Sequence, residues 1–314
     1  MSATPIYDRR NSHHSRDGVF AGAAVAAALL LAVAALIRPS LAADEGPLSD
    51  LASDFYSYLP AAPDIKAPDF DFIPFWTDDL KKAKRAYKSG EFNRARKYFE
   101  KASEDGNIVA DWYLGHMYRL GRGVPHDEAK SFSYFSRVAD AFDADESDNN
   151  RLKIMVDSLV RVADFYRTGS AAANIAPDFE RAIRIYRLAA TYGHPAAQFA
   201  LGVMQLKGDG MRQNADQGLR WLMTAARKRY APAEAKLGDL YWNGEIVKRD
   251  RTRAIMWYML AQSTTRPADS PEIYDRLDKM LADASEAERL EAEARATVWA
   301  DQYPAGSDTT ISPE

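Results

Sequence analysis

Between Ala196 and Ala261 the chain writes one unit twice, and this repetition narrows the choice of fold more than any other feature. A shift of 36 residues carries Leu201-Gly202 onto Leu237-Gly238, Gly208 onto Gly244 and Asn214 onto Asp250. The same shift carries Trp221 onto Trp257 and Ala225 onto Ala261. The matched positions are small or apolar anchors and turn residues. A period in the thirties belongs to stacked helical hairpins, each too small to bury its apolar face alone. The expected fold is all-α, a right-handed α-solenoid of such hairpins with a helical cap at its C-terminal end.

Earlier units carry the same pattern. Thr77 can cap a helix running to Lys88, where Ser89-Gly90 ends it. A second helix follows with Phe92, Ala95, Phe99 and Ala102 on one buried face. The next unit reads Ala110, Leu114-Gly115, Tyr118, Gly121, Gly123, Asp127 and Lys130. Gly115 allows two helices to approach closely, Gly121 and Gly123 allow a positive-φ turn, and Asp127 suits the cap of the following helix. Residues 143–150 (DADESDNN) form an acidic insertion without the spacing of a calcium loop. After it, Val162-Ala163 stands for Leu-Gly, followed by Tyr166, Gly169 and Asp178, with an inner loop three residues longer than standard. Ile246 replaces the second loop glycine of the last unit, so its turn should differ. The repeats are placed at 77–107, 108–142, 156–193, 195–230 and 231–265. Capping helices follow over 266–303, one from Pro271 and one from the capping box Ser285-x-x-Glu288, and a tail covers 304–314.

These units resemble the Sel1-like repeat, a relative of the tetratricopeptide repeat with a longer, glycine-marked loop inside each hairpin. Phe92, Ala95, Phe99 and Ala102 resemble the second-helix anchors of a tetratricopeptide repeat.

The N-terminal stretch is of a different kind. Gly18 to Ile37 holds no charged residue, Arg9, Arg10 and Arg16 precede it, and Arg38-Pro39-Ser40-Leu41-Ala42 follows. A basic start, an apolar centre and a small-x-small site describe a secretory signal peptide over 1–42, cleaved near Ala42. The alternative is an uncleaved anchor, because an apolar run of this length can just span a bilayer. Either way the expected location of the rest is the periplasm, with the membrane reached only through this segment. Residues 43–76 form a Pro- and Asp-rich linker ending in the aromatic stretch FDFIPFW at 70–76. That stretch either covers the open end of the first hairpin or docks on another protein.

Composition excludes several chemistries. Residues 43–314 carry 37 basic against 43 acidic side chains, the opposite of what phosphate neutralisation needs, so no nucleic-acid partner is expected. With no cysteine in the chain, a thiol nucleophile, a disulfide and a Cys-ligated metal are excluded. His116, His126 and His194 fall in separate repeats without metal-ligand spacing, and His194 lies in an inter-hairpin turn, where a surface role is expected. No nucleophile elbow or P-loop occurs, and Gly208-x-Gly210 occupies a repeat loop with no strand before it. The expectation is a protein without enzymatic activity or cofactor.

A solenoid instead offers a long concave surface. If first helices line it, the presented positions lie two before, two after and five after the Leu of Leu-Gly. They are Trp112, His116 and Arg119, then Val160, Asp164 and Arg167, then Phe199, Val203 and Leu206, then Ala235, Asp239 and Trp242. Aromatic and arginine side chains of this kind dominate binding energy at protein interfaces. The bland reading is that some of the rings pack between helices, as expected for Trp221 and Trp257.

Over residues 70–265 the layout is similar to the ExoR-like periplasmic negative regulators of exopolysaccharide production. It carries the Ser158-Leu159 … Phe165-Tyr166-Arg167-x-Gly169 unit after an insertion. This resemblance implies a protein partner, the periplasmic domain of a membrane sensor histidine kinase, held in its off state. The alternative is a cell-envelope remodelling or assembly factor.

Overall fold

The computed structural model describes residues 78–305. The expected signal peptide, the linker with FDFIPFW, the Thr77 cap and residues 306–314 lie outside the described residues.

The described residues form helices α1 (Asp78–Lys88), α2 (Phe92–Glu104), α3 (Ile108–Leu120), α4 (Glu128–Asp140), α5 (Asn149–Thr168) and α6 (Phe179–Thr191). They continue with α7 (Pro195–Lys207), α8 (Ala215–Arg227), α9 (Ala231–Asn243), α10 (Arg251–Ser263), α11 (Pro271–Asp283) and α12 (Glu286–Gln302). Helices α1 to α10 pair into five hairpins stacked in chain order, and both α11 and α12 pack on α10. The all-α repeat architecture is as the sequence period requires.

Local chemistry sets the helix starts. The side chains of Asn107, Asp127, Asp178, Asn214 and Asp250 each accept a backbone N–H of the following first turn. Ser285 and Glu288 close the expected capping box of α12. Second helix α8 is amphipathic, burying Leu219, Leu222, Ala225 and Ala226 and leaving its other face wet, whereas α10 is covered by α11 and α12 and buried from Ala254 to Tyr258. The first helices inside the array are buried on most sides, whereas α1 at its end buries one face. In α3 every residue from Val109 to Tyr118 is buried, because the helix lies between its own partner and the neighbouring hairpin.

The Leu-Gly step acts through close approach. A Cβ at Gly238 would sit 2.5 Å from Tyr258 Cδ2 and 3.2 Å from the Ala254 carbonyl oxygen, while one at Gly115 would meet Phe135 and one at Gly202 would meet Leu222. Phe135, Leu222 and Tyr258 occupy the same position of the second helix, eight residues after its cap. Gly238→Val is expected to destabilise the fold by about 1–3 kcal/mol through overpacking, seen as a lower midpoint in thermal denaturation. An unchanged midpoint would contradict the close approach.

Three local features differ from the regular unit. Helix α5 begins at Asn149, ahead of the repeat start expected at 156, because Asp148 within the acidic insertion caps it. The longer loop is closed by a bridge between Ser170 and Ile175, with reciprocal 2.8 Å hydrogen bonds, and Ser170 Oγ donates to Glu128 at 2.5 Å. Gly121 with Gly123, and Gly208 with Gly210, take positive φ, whereas in the last loop Gly244 alone does so; Ile246 thus forces the altered turn.

Candidate protein-binding face

The first helices α3, α5, α7 and α9, with α11 beyond them, form one face of the array. Its residues fall into three zones.

At the α3–α5 end, a buried carboxylate organises the surroundings. Asp157 is 1 % exposed. Its Oδ2 accepts from Trp112 Nε1 at 2.7 Å and from His116 Nε2 at 3.2 Å, and its Oδ1 accepts from Arg161 Nη2 at 2.9 Å. His194 Nε2, at the start of α7, lies 3.5 Å from Oδ1. Burial alone would push the Asp157 carboxyl up; Arg161 and the His116 hydrogen bond overcome it and hold it well below the usual carboxylate range. Donation from Nε2 leaves His116 Nδ1 to accept from Arg119 Nη2, 3.4 Å away. Three consecutive hairpins therefore meet at one carboxylate.

This arrangement corrects two expectations about the face and one about a turn. Trp112 (0 % exposed) and His116 are interior, not presented to a partner. A buried indole N–H requires an acceptor, and Asp157, near the start of the third repeat unit, supplies it. His194 is also buried, because its turn is roofed by the same cluster rather than facing solvent. Val160 and Leu206 are likewise buried. Arg119 is exposed as expected. Trp257 is core, whereas Trp221 is only partly buried.

The middle zone sets half-buried Arg161, Asp164 and Arg167 around a fully buried Tyr186. Tyr186 Oη donates to Asp164 Oδ1 at 2.6 Å and accepts from Arg167 Nε at 3.2 Å, while Arg161 Nη1 lies 3.6 Å from Asp164 Oδ2. The far zone repeats the motif: Tyr258 Oη donates to Asp239 Oδ1 at 2.9 Å, and Arg276 Nε of α11 stands 3.6 Å from the same oxygen. Tyr186 and Tyr258 hold the same second-helix position as Phe135 and Leu222, each facing the residue two after the Leu of Leu-Gly. Where that residue is Asp, a tyrosine fixes it; where it is His116, the facing ring is Phe135. Phe199, Ala235 and Asp239 line a groove between α7, α9 and α11, and Trp242 stands half-buried beside it.

Of the expected residues, the face thus brings together Arg119, Asp164, Arg167, Phe199, Val203, Ala235, Asp239 and Trp242. Asp157, Arg161, Tyr186, Tyr258 and Arg276 were missed. Asp157 had a visible signal, a lone acid within Ile154-Met155-Val156-Asp157-Ser158-Leu159-Val160. Arg276 had none, since it lies beyond the repeats. Among the described residues no group of His, Asp and Glu is placed to hold a metal ion.

A pH effect on stability follows from the cluster. Burial, with Arg161 and Arg119 close by, pushes the His116 pKa down from 6.5 to about 4, although Asp157 pulls the other way. With the folded-state pKa below the unfolded one, the contribution of neutral His116 is complete above pH 6.5 and is lost as pH falls towards 4. In a His116→Gln variant, urea midpoints should fall less steeply than the parent's over that window. Glu234, whose carboxyl burial pushes up to about 7 against its Arg229 partner, has the opposite slope but cancels in this comparison. Equal slopes would contradict a neutral buried His116.

Comparison with known proteins agrees with the repeat reading. The Sel1 repeat profile matches residues 89–107, 108–141, 156–194, 195–230 and 231–261. The chain is 27 % identical over 209 residues to an exopolysaccharide production negative regulator of Rhizobium leguminosarum bv. viciae, covering 66 % of this chain and 76 % of that protein. It is 27 % identical over 205 residues to the protein of that name from Rhizobium meliloti (strain 1021), covering 65 % and 74 %. A crystal structure of a Sel1 repeat protein from Oxalobacter formigenes matches at 23 % identity and TM-score 0.49, covering 71 % of this chain and 91 % of that one. With the Sel1 repeat profile matched over half its length, the chain belongs to the Sel1 repeat family.

Proposed function

We propose that this protein is a periplasmic negative regulator of exopolysaccharide production. It acts without enzymatic chemistry, as a scaffold that binds the periplasmic domain of a membrane sensor histidine kinase and holds it in its off state. The N-terminal segment directs export, and the first-helix face from Arg119 to Trp242 receives the partner. The observation that carries this reading is the similarity to two negative regulators over about two thirds of the chain. The composition of the face adds support: exposed Arg119 and half-buried Phe199 and Trp242 are the residue types on which interface energy concentrates. Loss of a bound repressor shifts a kinase towards its active state by mass action.

The test is genetic and biochemical together. Deleting the gene should raise secreted polysaccharide, and the parent gene should restore the original level. Arg119→Glu and Trp242→Ala, checked for parental helicity, should fail to restore it and should weaken capture of the kinase domain roughly 30-fold, the scale of an interface hot spot. Unchanged polysaccharide in the deletion strain would overturn the reading.

A further inference from the structure

The groove at the α11 end of the face has a recognition chemistry of its own. Its volume is about 450 Å³, and its apolar lining includes Phe199, Ala235 and Ile273. One wall is α11, an element outside the repeats, so the capping segment does more here than shield the last hairpin. The carboxylate in the groove is already occupied. Asp239 accepts from Tyr258 and faces Arg276, so it presents little free negative charge.

In the lining itself Lys236 and Arg276 face Asp239 and Glu272, and the excess of positive charge lies at the rim, around Trp242. The Arg276 guanidinium lies 5.9 Å from the centre of the Trp242 ring, joined there by Arg249 at 5.9 Å and Arg251 at 5.4 Å. Lys236 lines the groove, and neither it nor Arg249 has a carboxylate within 4.0 Å among the described residues. Arg251 is engaged by Glu288. Exposed Glu272 is the remaining anion of the lining.

We infer that this groove takes a short extended segment of the partner protein in which an acidic residue adjoins an apolar one. The apolar side chain enters between Phe199, Ala235 and Ile273, and the carboxylate meets Arg276 and Lys236 beside Trp242. A guanidinium accepts a carboxylate with two parallel hydrogen bonds, and the half-covered indole keeps that pair partly dry. A basic segment would find only an occupied aspartate and one exposed glutamate. The inference rests on the protein-binding reading above and adds the chemistry of the partner.

The probe is a phage-displayed library of random dodecapeptides panned against the full chain. The parent should enrich sequences with Asp or Glu next to Leu, Ile or Phe. Synthetic peptides of that kind should lose at least tenfold in affinity for Arg276→Glu and for Lys236→Glu, while Arg184→Glu, exposed on α6, should bind like the parent. Panning against Arg276→Glu should shift enrichment towards Lys and Arg. Lys236→Glu, at the groove's edge, keeps the test open should Arg276→Glu fail to fold. Absence of enrichment, enrichment without an acidic preference, or equal binding by the charge-reversed variants would overturn the inference. If kinase capture persists in that event, the regulator reading stands and the groove assignment alone falls.

Discussion

An Asp157→Ala variant is expected to lose about 3–5 kcal/mol of stability, the scale found when one partner of a buried charge pair is removed. The loss exceeds the worth of any one contact because of what remains behind. Arg161, at 2.9 Å, loses its innermost counter-charge, and the Trp112 indole N–H, at 2.7 Å, loses its acceptor in a site closed to water. Asp157→Asn should cost less, since it keeps an acceptor for one donor but not the charge facing Arg161. Urea unfolding followed by helicity and by tryptophan fluorescence would measure both. The two probes should separate in the alanine variant, because neighbouring hairpins are coupled through this carboxylate and the array otherwise behaves as a sum of nearest-neighbour terms. A loss below about 1 kcal/mol would show that water or a rearranged side chain replaces Asp157.

The second large effect has competing parts. The short inter-hairpin turns each hold a residue of positive φ: Gly106 (80°) and Gly193 (78°) supply it, but before α9 the residue is Arg229 (58°). Arg229→Gly relieves roughly 1 kcal/mol of left-handed strain. The same change removes a buried guanidinium. Its Nε donates to Glu234 at 2.8 Å, and its Nη2 donates to Ser263 Oγ at 2.7 Å and to the Leu260 carbonyl at 3.2 Å. Its Nη1 reaches the Tyr303 carbonyl after α12 at 3.5 Å. Glu234, fully buried and already raised to about 7, takes up a proton without Arg229, so the loss is that of the guanidinium's hydrogen bonds, and the net result is a loss of about 1–3 kcal/mol. Hydrogen exchange should show α12 opening more readily than α3. Adding Glu234→Gln should recover part of the loss, and a variant as stable as the parent would show that turn strain outweighs the network.

Much of the fold was legible because it repeats. Leu201-Gly202 and Leu237-Gly238 fix where helices touch, Asn214 and Asp250 fix where second helices begin, and each of these choices is local. The site was legible by position and only partly by exposure. Counting from the Leu of Leu-Gly reached Asp164, Phe199, Asp239 and Trp242, all of which the structure leaves partly exposed. It misplaced Trp112 and His116, because Asp157 of the next hairpin lies over them and closes them off from solvent. A contact between residues 45 positions apart leaves no trace in a local period. The pairing of Asp164 with Tyr186 and of Asp239 with Tyr258 was within reach: both tyrosines lie eight residues after a capping Asp, and both aspartates lie two after the Leu position.

The Asp157 cluster also orders events in time. A chain made or delivered N-terminus first completes α3 while the acceptor of its indole is still unmade, 45 residues behind. His194 arrives later still. The second hairpin can form early through its apolar contacts, but its polar interior stays open until α5 docks, so the array locks from the middle outward rather than link by link.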